Sequence, residues 1–501
     1  MFANDSYLTT YKPVSRQEWI LLASGINLTL LNFILVQHFS VALRNPELAV
    51  LTFSMAYFSG ISLGYYVSDR IPLISLKWLY PAMMPVQMLI IVAAQAGVYM
   101  IQRDVSLFSE INQLDTDPGW LIAYLGIFLV TALTATSIYA IFLPAMIEED
   151  NLDLQRCYSL EVIGSIIGLL ILPVLAAFSH LLLLSVYFTC FIGIAVLLRI
   201  RYQIILALAI ISAVFIGNYS SWDARFSAWF YQNWYSSKNI EKVEYTRYTP
   251  YHKIEVLKRK DGTFMLTLNG KRQFSHGGHY NYSYFLAEYP ARLLKNPRVN
   301  LLGCGVMSTI GRIGDFVDHI TIVDIDQGVF ETSRRYFQQY NRLDSLDNWT
   351  FIADDAKHFA ANSDDQFELI LHDIPPAYSR QIALTYTKEF FTLVKERLTD
   401  DGIFSIASLS PISSRSNYGK RLIATLIDVF DNYFVLVKGS SVYFYGGKSS
   451  LIIPDEQTLR SAIHHSSKDK IGIHVGSAVD KLVKGSKIIT INNIGDLIFD
   501  D

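Results

Sequence analysis

The sequence is poor in charged residues and in cysteine. Asp, Glu, Lys and Arg make up 17% of its 501 residues, whereas soluble domains contain about a quarter. The formal net charge is −3, and no basic run is long enough to indicate a nucleic-acid surface. Cys157, Cys190 and Cys304 have no CxxC spacing. A disulfide framework is therefore excluded, and no metal site and no nucleic-acid partner are expected.

Hydrophobic residues make up 51% of the chain, and they are concentrated in residues 17–218. A bilayer-spanning helix needs about 20 apolar residues. Seven segments qualify: 18–38, 48–67, 78–101, 119–146, 157–179, 181–198 and 201–218. We therefore predict an N-terminal tail at 1–16, a transmembrane domain of about seven helices at 17–218, and an interfacial linker at 219–242. The linker contains the aromatic stretch WDARFSAWFYQNWY (222–235), which is typical of an anchor at the bilayer surface.

Two of the predicted spans carry pairs of glycines four residues apart, Gly60–Gly64 and Gly164–Gly168. Small residues at this spacing let helix backbones approach closely in lipid. The pairs predict helix packing within the chain, and they also admit a homodimer contact. Glu161, near the start of the fifth span, is either an interfacial residue or a functional one.

The remaining sequence, 236–501, has the composition of a soluble domain. Residues 243–275 alternate apolar and polar side chains around two hairpin signals, Asp261-Gly262 and Asn269-Gly270. We predict a small β unit there. From 276 to 450 strands (near 298–303, 320–324, 350–353, 367–372 and 403–408) alternate with helices (near 306–315, 327–340 and 385–398). This alternation predicts an α/β Rossmann-like fold with a mainly parallel sheet, followed by a part-helical appendage at 451–501.

Four features lie where predicted strands of this sheet end. The turn GCG (303–305) brings Gly303 and Gly305, whose missing side chains allow a ligand to approach. Asp324 ends the second strand and can accept both hydroxyls of a ribose. Asp355 follows the third strand and either contacts a base amine or caps a helix. Asp373 ends a very apolar strand, where desolvation raises a carboxyl pKa toward that of a working base. Because strand ends gather ligands in such sheets, the four together predict one nucleoside site.

Residues 243–445 resemble the spermidine synthase (polyamine aminopropyltransferase) family. The resemblance rests on YHKIEV (251–256), LNGKRQFS (268–275), LLGCG (301–305), TIVDID (321–326), DDAKHF (354–359), LILHDIPP (369–376) and YTKEFFTLVKERLTDDGIFSI (386–406). The apolar half resembles that of bacterial members fused to a multi-span domain, in SGISLGYYVSDR (59–70) and CYSLEVIGSIIG (157–168). The resemblance implies a methyltransferase-type Rossmann-like fold preceded by a small β domain.

The resemblance also implies a reaction, in which decarboxylated S-adenosylmethionine donates its aminopropyl group to an amine and leaves methylthioadenosine. Asp324 would then hold the ribose, Asp355 the adenine, and Gln273 would line the donor site. Asp373 would take the proton from the attacking amine, and Tyr282 would contact the substrate. A small-molecule amine acceptor and no metal are implied.

Three departures from the family pattern concern the amine side of this site. The family's GGGDG is GCGVM here, so that Val306 replaces the acid that pairs with the donor's ammonium. The family's YHE or YQE is Tyr-Ser-Tyr (282–284), which loses a Glu, and Pro376 replaces a second acid after the catalytic Asp. Two alternatives therefore remain open. One is a methyltransferase that uses S-adenosylmethionine itself, and the other is a non-catalytic nucleoside-binding domain coupled to transport or sensing.

The charges flanking the spans predict an orientation that conflicts with such a cofactor. Most Lys and Arg residues near the spans fall on the N-terminal side of a seven-span layout, which the positive-inside rule places in the cytoplasm. An odd number of spans then puts the soluble domain outside, away from a cytoplasmic cofactor. We expect the number of spans to be off by one, and the soluble domain to be cytoplasmic at the inner membrane.

Overall fold

The computed structural model describes residues 15–43, 46–68, 70–71, 73–112, 118–150, 153–234, 239–276, 279–377, 379–408, 412, 417–464 and 471–495. The chain divides into two compact units. The helical unit comprises Met1–Lys238 and Tyr248–Pro250, and the α/β unit comprises Asn239–Arg247 and Tyr251–Asp501.

The helical unit is built from long apolar helices. They are α1 (Arg16–Leu43), α2 (Pro46–Ser68), α3 (Leu73–Asn112), α4 (Pro118–Thr131), a π-helix (Ala132–Thr136), α5 (Ser137–Ala140), α6 (Phe142–Asp150), α7 (Leu154–Phe178), α8 (His180–Leu197) and α9 (Tyr202–Trp234). Seven helical stretches in the described residues are long and apolar enough to cross a membrane. The expectation of a miscounted span therefore has no support in the structure.

The last of these helices extends further than the sequence predicted. α9 continues without a break to Trp234, so the predicted linker at 219–242 is helical over its first sixteen residues. The reason is periodicity, because Trp222 and Phe226 are one helical turn apart and both pack against the core of the helical unit. The described part of the aromatic stretch, up to Trp234, is thus the end of a helix.

Both glycine pairs are used for packing within the chain. A Cβ on Gly164 would lie 2.1 Å from the Leu22 carbonyl oxygen of α1, and a Cβ on Gly25 would lie 2.1 Å from the Glu161 carbonyl oxygen of α7. A Cβ on Gly60 would lie 2.7 Å from the Ala132 carbonyl oxygen of the π-helix. Each distance is below van der Waals contact, so these backbones pack closely only because the side chains are absent.

The α/β unit begins with a four-stranded sheet in the order β1-β2-β3-β4, in which β3 pairs antiparallel with both β2 and β4. They are β1 (Ile240–Tyr248), β2 (Lys253–Arg259), β3 (Phe264–Leu268) and β4 (Lys271–Ser275). The turn between β3 and β4 has positive φ at both Asn269 (47°) and Gly270 (74°), as tight hairpins require.

A second sheet follows. Its strands are β5 (Arg298–Leu302), β6 (His319–Asp324), β7 (Trp349–Ala353), β8 (Phe367–His372), β9 (Leu398–Ser408), β10 (Asn432–Lys438), β11 (Ser441–Gly447) and β12 (Gly472–Val475). Their order is β12-β10-β11-β9-β8-β5-β6-β7. β7, β6, β5, β8 and β9 are parallel, while β10, β11 and β12 pair antiparallel. The unit is therefore a Rossmann-type α/β fold with a mixed sheet.

Helices connect these strands. They are α10 (His279–Ser283), a π-helix (Tyr284–Glu288), α11 (Tyr289–Leu293), α12 (Ser308–Ile313), α13 (Gln327–Tyr336), α14 (Gln338–Asn341), α15 (Ala356–Asn362), α16 (Arg380–Ala383), α17 (Lys388–Glu396), α18 (Asn417–Val429), α19 (Glu456–Ser461) and α20 (Ser477–Val483). Short 3₁₀ turns lie at Gly314–Phe316, Leu343–Ser345, Leu384–Tyr386 and Ile491–Asn493.

The described residues of the predicted appendage at 451–501 contribute to the main sheet and its core. β12 pairs with β10 from Phe434↔Val475 to Val437↔Gly472 and so extends the main sheet. Val479 and Val483 of α20 are buried in the same core as β9 and α18. The sequence pattern missed this strand because it has only four residues and follows a polar stretch.

Candidate active site

The carboxyl ends of β5 and β8 lie side by side at the point where the strand order reverses. This is the crevice in which ligands bind in open α/β sheets. Gly303 follows β5 with φ of +85°, and a Cβ there would lie 2.8 Å from the backbone oxygen of Asp373. The backbone N–H of Asp373 donates to Leu302 O at 2.8 Å. Position 303 therefore needs glycine for two reasons. Its backbone is left-handed, and it lies too close to the backbone of Asp373 to leave room for a Cβ.

The rest of the glycine turn is fixed from the helices behind it. Ser333 Oγ of α13 donates to Gly305 O at 2.5 Å, and Asn341 Nδ2 of α14 donates to Val306 O at 3.3 Å. Met307, at the position of the family's last glycine, keeps a left-handed backbone with φ of 59°. The loop therefore retains a glycine-type conformation although a larger residue occupies it, which is unfavourable for an L side chain.

Asp324 ends β6 and supports the same turn. Its Oδ2 accepts from the Cys304 backbone N–H at 2.7 Å, and its Oδ1 accepts from the Asp326 N–H at 2.8 Å. Burial raises its carboxyl pKa above the ordinary value, and these two backbone bonds partly oppose that rise. Each carboxylate oxygen has a second lone pair, so the group can still accept ribose hydroxyls.

Asp355 is the N-cap residue of α15. Its Oδ1 accepts from the backbone N–H groups of Lys357 at 2.8 Å and His358 at 3.2 Å. Both bonds use the same oxygen, so Oδ2 is the atom that could contact a base amine. The helix-cap interpretation is therefore realised, and the adenine contact stays a prediction.

Asp373 immediately follows β8 and is held by Tyr282, whose hydroxyl donates to Oδ1 at 2.7 Å. Burial raises the pKa of Asp373 to about 7, the Tyr282 hydroxyl opposes this rise, and the charge of Asp324 adds to it. Burial also raises the pKa of Tyr282 far above its usual range, so the phenol keeps its proton. Together they form a carboxyl group that titrates near neutral pH beside a fixed donor.

The segment around Asp373 is held by residues that the sequence analysis did not assign. His372 is 2% exposed, and its Nε2 donates to Thr385 O at 3.0 Å. Burial lowers its pKa to about 4, so the imidazole is neutral. The Tyr386 hydroxyl lies 2.8 Å from Ile374 O and 2.9 Å from Pro375 O. These contacts fix the loop that follows the strand, and no short-range sequence pattern reveals them.

A second unassigned pair supports the neighbouring strand end. The buried Asp326 caps α13 by accepting from Gly328 N at 2.9 Å, and its other oxygen lies 2.8 Å from His252 Nδ1. The cap could have been found from the acid that directly precedes the helical pattern. The histidine, 74 residues away, could not.

The three departures from the family pattern have structural counterparts. Val306 is 5% exposed and belongs to the hydrophobic core. The Tyr284 hydroxyl accepts from the backbone N–H of His464 at 2.6 Å, so it serves a structural contact. Pro376 is exposed. None of the three side chains offers an ammonium-binding carboxylate.

Gln273 is the predicted site residue that the structure does not tie to the others. It is partly buried in β4, beside Phe274, which packs on Phe337 and Tyr340. Within the part of the chain that the structure describes, no hydrogen bond joins Gln273 to the residues at the strand ends. Its place in the donor site stays a prediction.

The α/β unit is similar in sequence to known proteins. Residues 281–441 match the family model of the spermine/spermidine synthase domain. The chain is 26% identical over 208 residues to polyamine aminopropyltransferase 1 of Aquifex aeolicus, covering 40% of this chain and 74% of that protein. It is 31% identical over 209 residues to polyamine aminopropyltransferase of Leptospira interrogans, covering 38% and 41% respectively.

One solved structure with a similar fold is a spermidine synthase in complex with the transition state analogue AdoDATO. The identity is 18%, the TM-score 0.41, and the match covers 49% of this chain and 89% of that one. Residues 281–441 of this chain are thus similar to the spermine/spermidine synthase domain, and the two similar proteins are named polyamine aminopropyltransferases. The chain spans less than half of the Leptospira relative's length.

Proposed function

We propose that the chain transfers an aminopropyl group from decarboxylated S-adenosylmethionine to an amine. The nitrogen lone pair of a neutral amine attacks the aminopropyl carbon bonded to the sulfonium. The carbon–sulfur bond breaks, its electron pair stays on sulfur, and methylthioadenosine leaves. The proton released by the amine passes to Asp373. The observation that carries this proposal is the Asp373–Tyr282 pair, because a base with a pKa of about 7 is matched to neutral pH.

On this proposal the nucleoside part of the donor lies over the glycine turn. Asp324 accepts the ribose hydroxyls, Asp355 Oδ2 accepts the adenine amine, and Gln273 lines the donor site. Support comes from Gly303 and Asp324, which lie at adjacent strand ends and are joined through the Cys304 N–H. Positioning the two reactants in this crevice supplies much of the acceleration.

The acceptor is proposed to carry fewer ammonium groups than a polyamine. A polycation needs several acids around it, and each charge-assisted hydrogen bond contributes about 1.5–3 kcal/mol. The positions of those acids hold Val306, Tyr284 and Pro376. Asp373 remains as the acid that meets the reacting nitrogen.

One observation favours a second candidate function, methyl transfer from intact S-adenosylmethionine. In the family, the acid at position 306 pairs with the donor's aminopropyl ammonium, and here that position is a buried valine. Without the acid, selection of the decarboxylated donor is weakened. The fold itself is compatible with either transfer.

We further propose that the helical unit crosses a lipid bilayer and that the α/β unit faces the cytoplasm, where the donor is made. Seven apolar helices support the first part. With seven spans, a cytoplasmic α/β unit requires the N-terminus to lie on the opposite side. Labelling of single engineered cysteines at either end, with a membrane-impermeant reagent on intact cells, tests this placement. Labelling of the α/β unit in intact cells would contradict it.

Calorimetry on the detergent-purified chain tests the donor. The ligands are S-adenosylmethionine, its decarboxylated form and methylthioadenosine. Preference for the decarboxylated form supports the proposal, and preference for the intact form supports methyl transfer. Absence of binding to all three would leave a non-catalytic domain. Asp344→Asn is the matched control, because Asp344 is an exposed carboxylate paired with Arg334.

A further inference from the structure

Two histidines and a tyrosine from three helices of the helical unit lie close together. His38 lies in the last turns of α1, His180 is the first residue of α8, and Tyr219 lies in the second half of α9. Their exposed fractions are 4%, 7% and 2%. Three polar side chains from three helices therefore share one buried location.

The three side chains meet through single atoms. His38 Nε2 and His180 Nε2 lie 3.3 Å apart, and the Tyr219 hydroxyl oxygen lies 3.2 Å from the first and 3.1 Å from the second. Three nitrogen or oxygen atoms at nearly equal separations form a triangle. Ligands bound tetrahedrally to Zn²⁺ at about 2.0–2.1 Å are about 3.3 Å apart, so the triangle has the size of one face of such a site.

Not all of these contacts can be hydrogen bonds at the same time. The Tyr219 hydroxyl also lies 3.2 Å from the Tyr248 hydroxyl, whose proton goes to Asp223 at 3.2 Å. The four contacts among His38, His180, Tyr219 and Tyr248 then need four protons. The Tyr219 hydroxyl and the two Nε2 atoms supply at most three, and if both Nε2 atoms are protonated they oppose each other. At least one contact therefore joins two atoms with no proton between them.

A cation would account for all three short separations, because it would bind the lone pairs of two neutral imidazoles and of the tyrosine oxygen together. Imidazole nitrogen suits zinc and other divalent transition metals. The surroundings also resemble the outer shell of a metal site, in which a carboxylate orients a ligand. Asp223 binds Tyr248, Tyr248 binds Tyr219, and the Tyr248 ring stacks on His180 with centroids 4.1 Å apart. Tyr248 is part of the helical unit.

We propose that His38, His180 and Tyr219 bind a divalent transition-metal ion of the zinc class. Among the described residues no group of three or more His, Cys, Asp or Glu could hold a metal, and here a tyrosine oxygen supplies the third ligand. The ion would join the last turns of α1, the first residue of α8 and the middle of α9. No metal was expected from the sequence, because the cysteines have no CxxC spacing. The two histidines are 142 residues apart, so no local pattern marks them as a pair.

Metal binding to the full chain tests the site. The chelator-stripped protein in detergent is titrated with Co²⁺, which replaces Zn²⁺ and absorbs visible light strongly in tetrahedral sites. Bound metal per chain is measured by mass spectrometry after dialysis. One ion per chain is expected. His180→Ala should lose it, Tyr219→Phe should weaken binding at least tenfold, and Asp223→Asn should weaken it about 10- to 100-fold as an outer-shell change.

The controls separate this site from incidental binding. His358→Ala removes an exposed histidine of the α/β unit that pairs with Asp354, and it should bind the same amount of metal as the native chain. Tyr219→Phe keeps the ring that packs on Phe215, so it provides the test if His180→Ala does not fold. The proposal would be overturned if the native chain bound no metal ion. It would also be overturned if Tyr219→Phe bound metal as tightly as the native chain.

Discussion

Replacing Tyr282 by phenylalanine removes one hydroxyl and tests the proposed role of Asp373 as the base. That hydroxyl donates to Asp373 Oδ1 at 2.7 Å and favours the ionised carboxylate. A hydrogen bond to a charged group is worth about 1.5–3 kcal/mol, which corresponds to roughly one to two pKa units. The pKa of Asp373 should therefore rise from about 7 in the native chain by that amount.

The consequence is a shifted pH profile. A base acts when it is ionised, so activity is lost as the pH falls through its pKa. At pH 7 the ionised fraction should drop from about one half to between a tenth and a hundredth, and the rate should fall roughly 5- to 50-fold. At pH values above the new pKa the rate should recover, because Asp373 is ionised again.

The assay is the rate of methylthioadenosine release between pH 6 and 10, for the native chain, Tyr282→Phe and Asp373→Asn. Two results are expected. The acidic limb of the pH–rate profile should move to higher pH in Tyr282→Phe, and Asp373→Asn should be inactive at every pH. Unchanged position of the acidic limb in Tyr282→Phe would refute the argument that this hydroxyl sets the pKa of the base. Asp344→Asn serves as the carboxylate control.

Four further changes give distinct outcomes. Asp324→Asn should weaken methylthioadenosine binding at least tenfold, about 1.4 kcal/mol, in calorimetry. Asp355→Ser keeps a helix cap but shortens the side chain, so it should retain the native melting temperature while losing nucleoside affinity. Val306→Asp should raise the preference for the decarboxylated donor over the intact one about tenfold or more, because it restores one charge-assisted hydrogen bond. Asp373→Asn should raise the melting temperature, more at pH 8 than at pH 5.

The sign of the last prediction follows from linkage. The folded-state pKa of Asp373 is about 7, whereas an unfolded Asp titrates near 3.9. The native state therefore binds more protons between these values, and the native chain loses stability as the pH rises from about 4 to 7, by at most about 4 kcal/mol. Asparagine carries no such penalty. A melting-temperature gain that is the same at both pH values would contradict the raised pKa.

A different result would contradict each of the other three predictions. Native affinity in Asp324→Asn would remove Asp324 from ribose binding. Native affinity together with native stability in Asp355→Ser would leave Asp355 as a helix cap only. Val306→Asn is the uncharged control for Val306→Asp, and equal donor preference in both would show that charge at this position does not select the donor.

The sheet of the α/β unit could be predicted where its strands are apolar and separated by capped helices. The predicted strands at 298–303, 320–324 and 367–372 agree with β5, β6 and β8 to within a residue or two. Strands that are covered on both faces have continuous apolar runs, and these three strands show such runs. The contribution of β12 could not be predicted, because its pairing with β10 is a long-range contact of a short strand.

The residues of the candidate site that lie at strand ends could be predicted from the sequence. The side chains that contact them from distant parts of the chain could not. Asp324 and Asp373 each follow an apolar run, so topology alone brings them to one crevice. The contact from Tyr282 to Asp373 spans 91 residues, and the contact from His38 to His180 spans 142. Such pairs depend on tertiary packing, which no local pattern encodes. In α9 the local pattern was present but was interpreted wrongly. The aromatic composition of residues 222–235 led to the prediction of a linker, although the helical periodicity continued.

Product analysis tests the central claim most directly. The purified chain is incubated with decarboxylated S-adenosylmethionine and a panel of amines, and in parallel with intact S-adenosylmethionine, and the nucleoside products are identified by mass spectrometry. Methylthioadenosine together with an aminopropylated amine, absent in Asp373→Asn, is the result predicted here. S-adenosylhomocysteine from the intact donor, with no methylthioadenosine from the decarboxylated one, would contradict aminopropyl transfer.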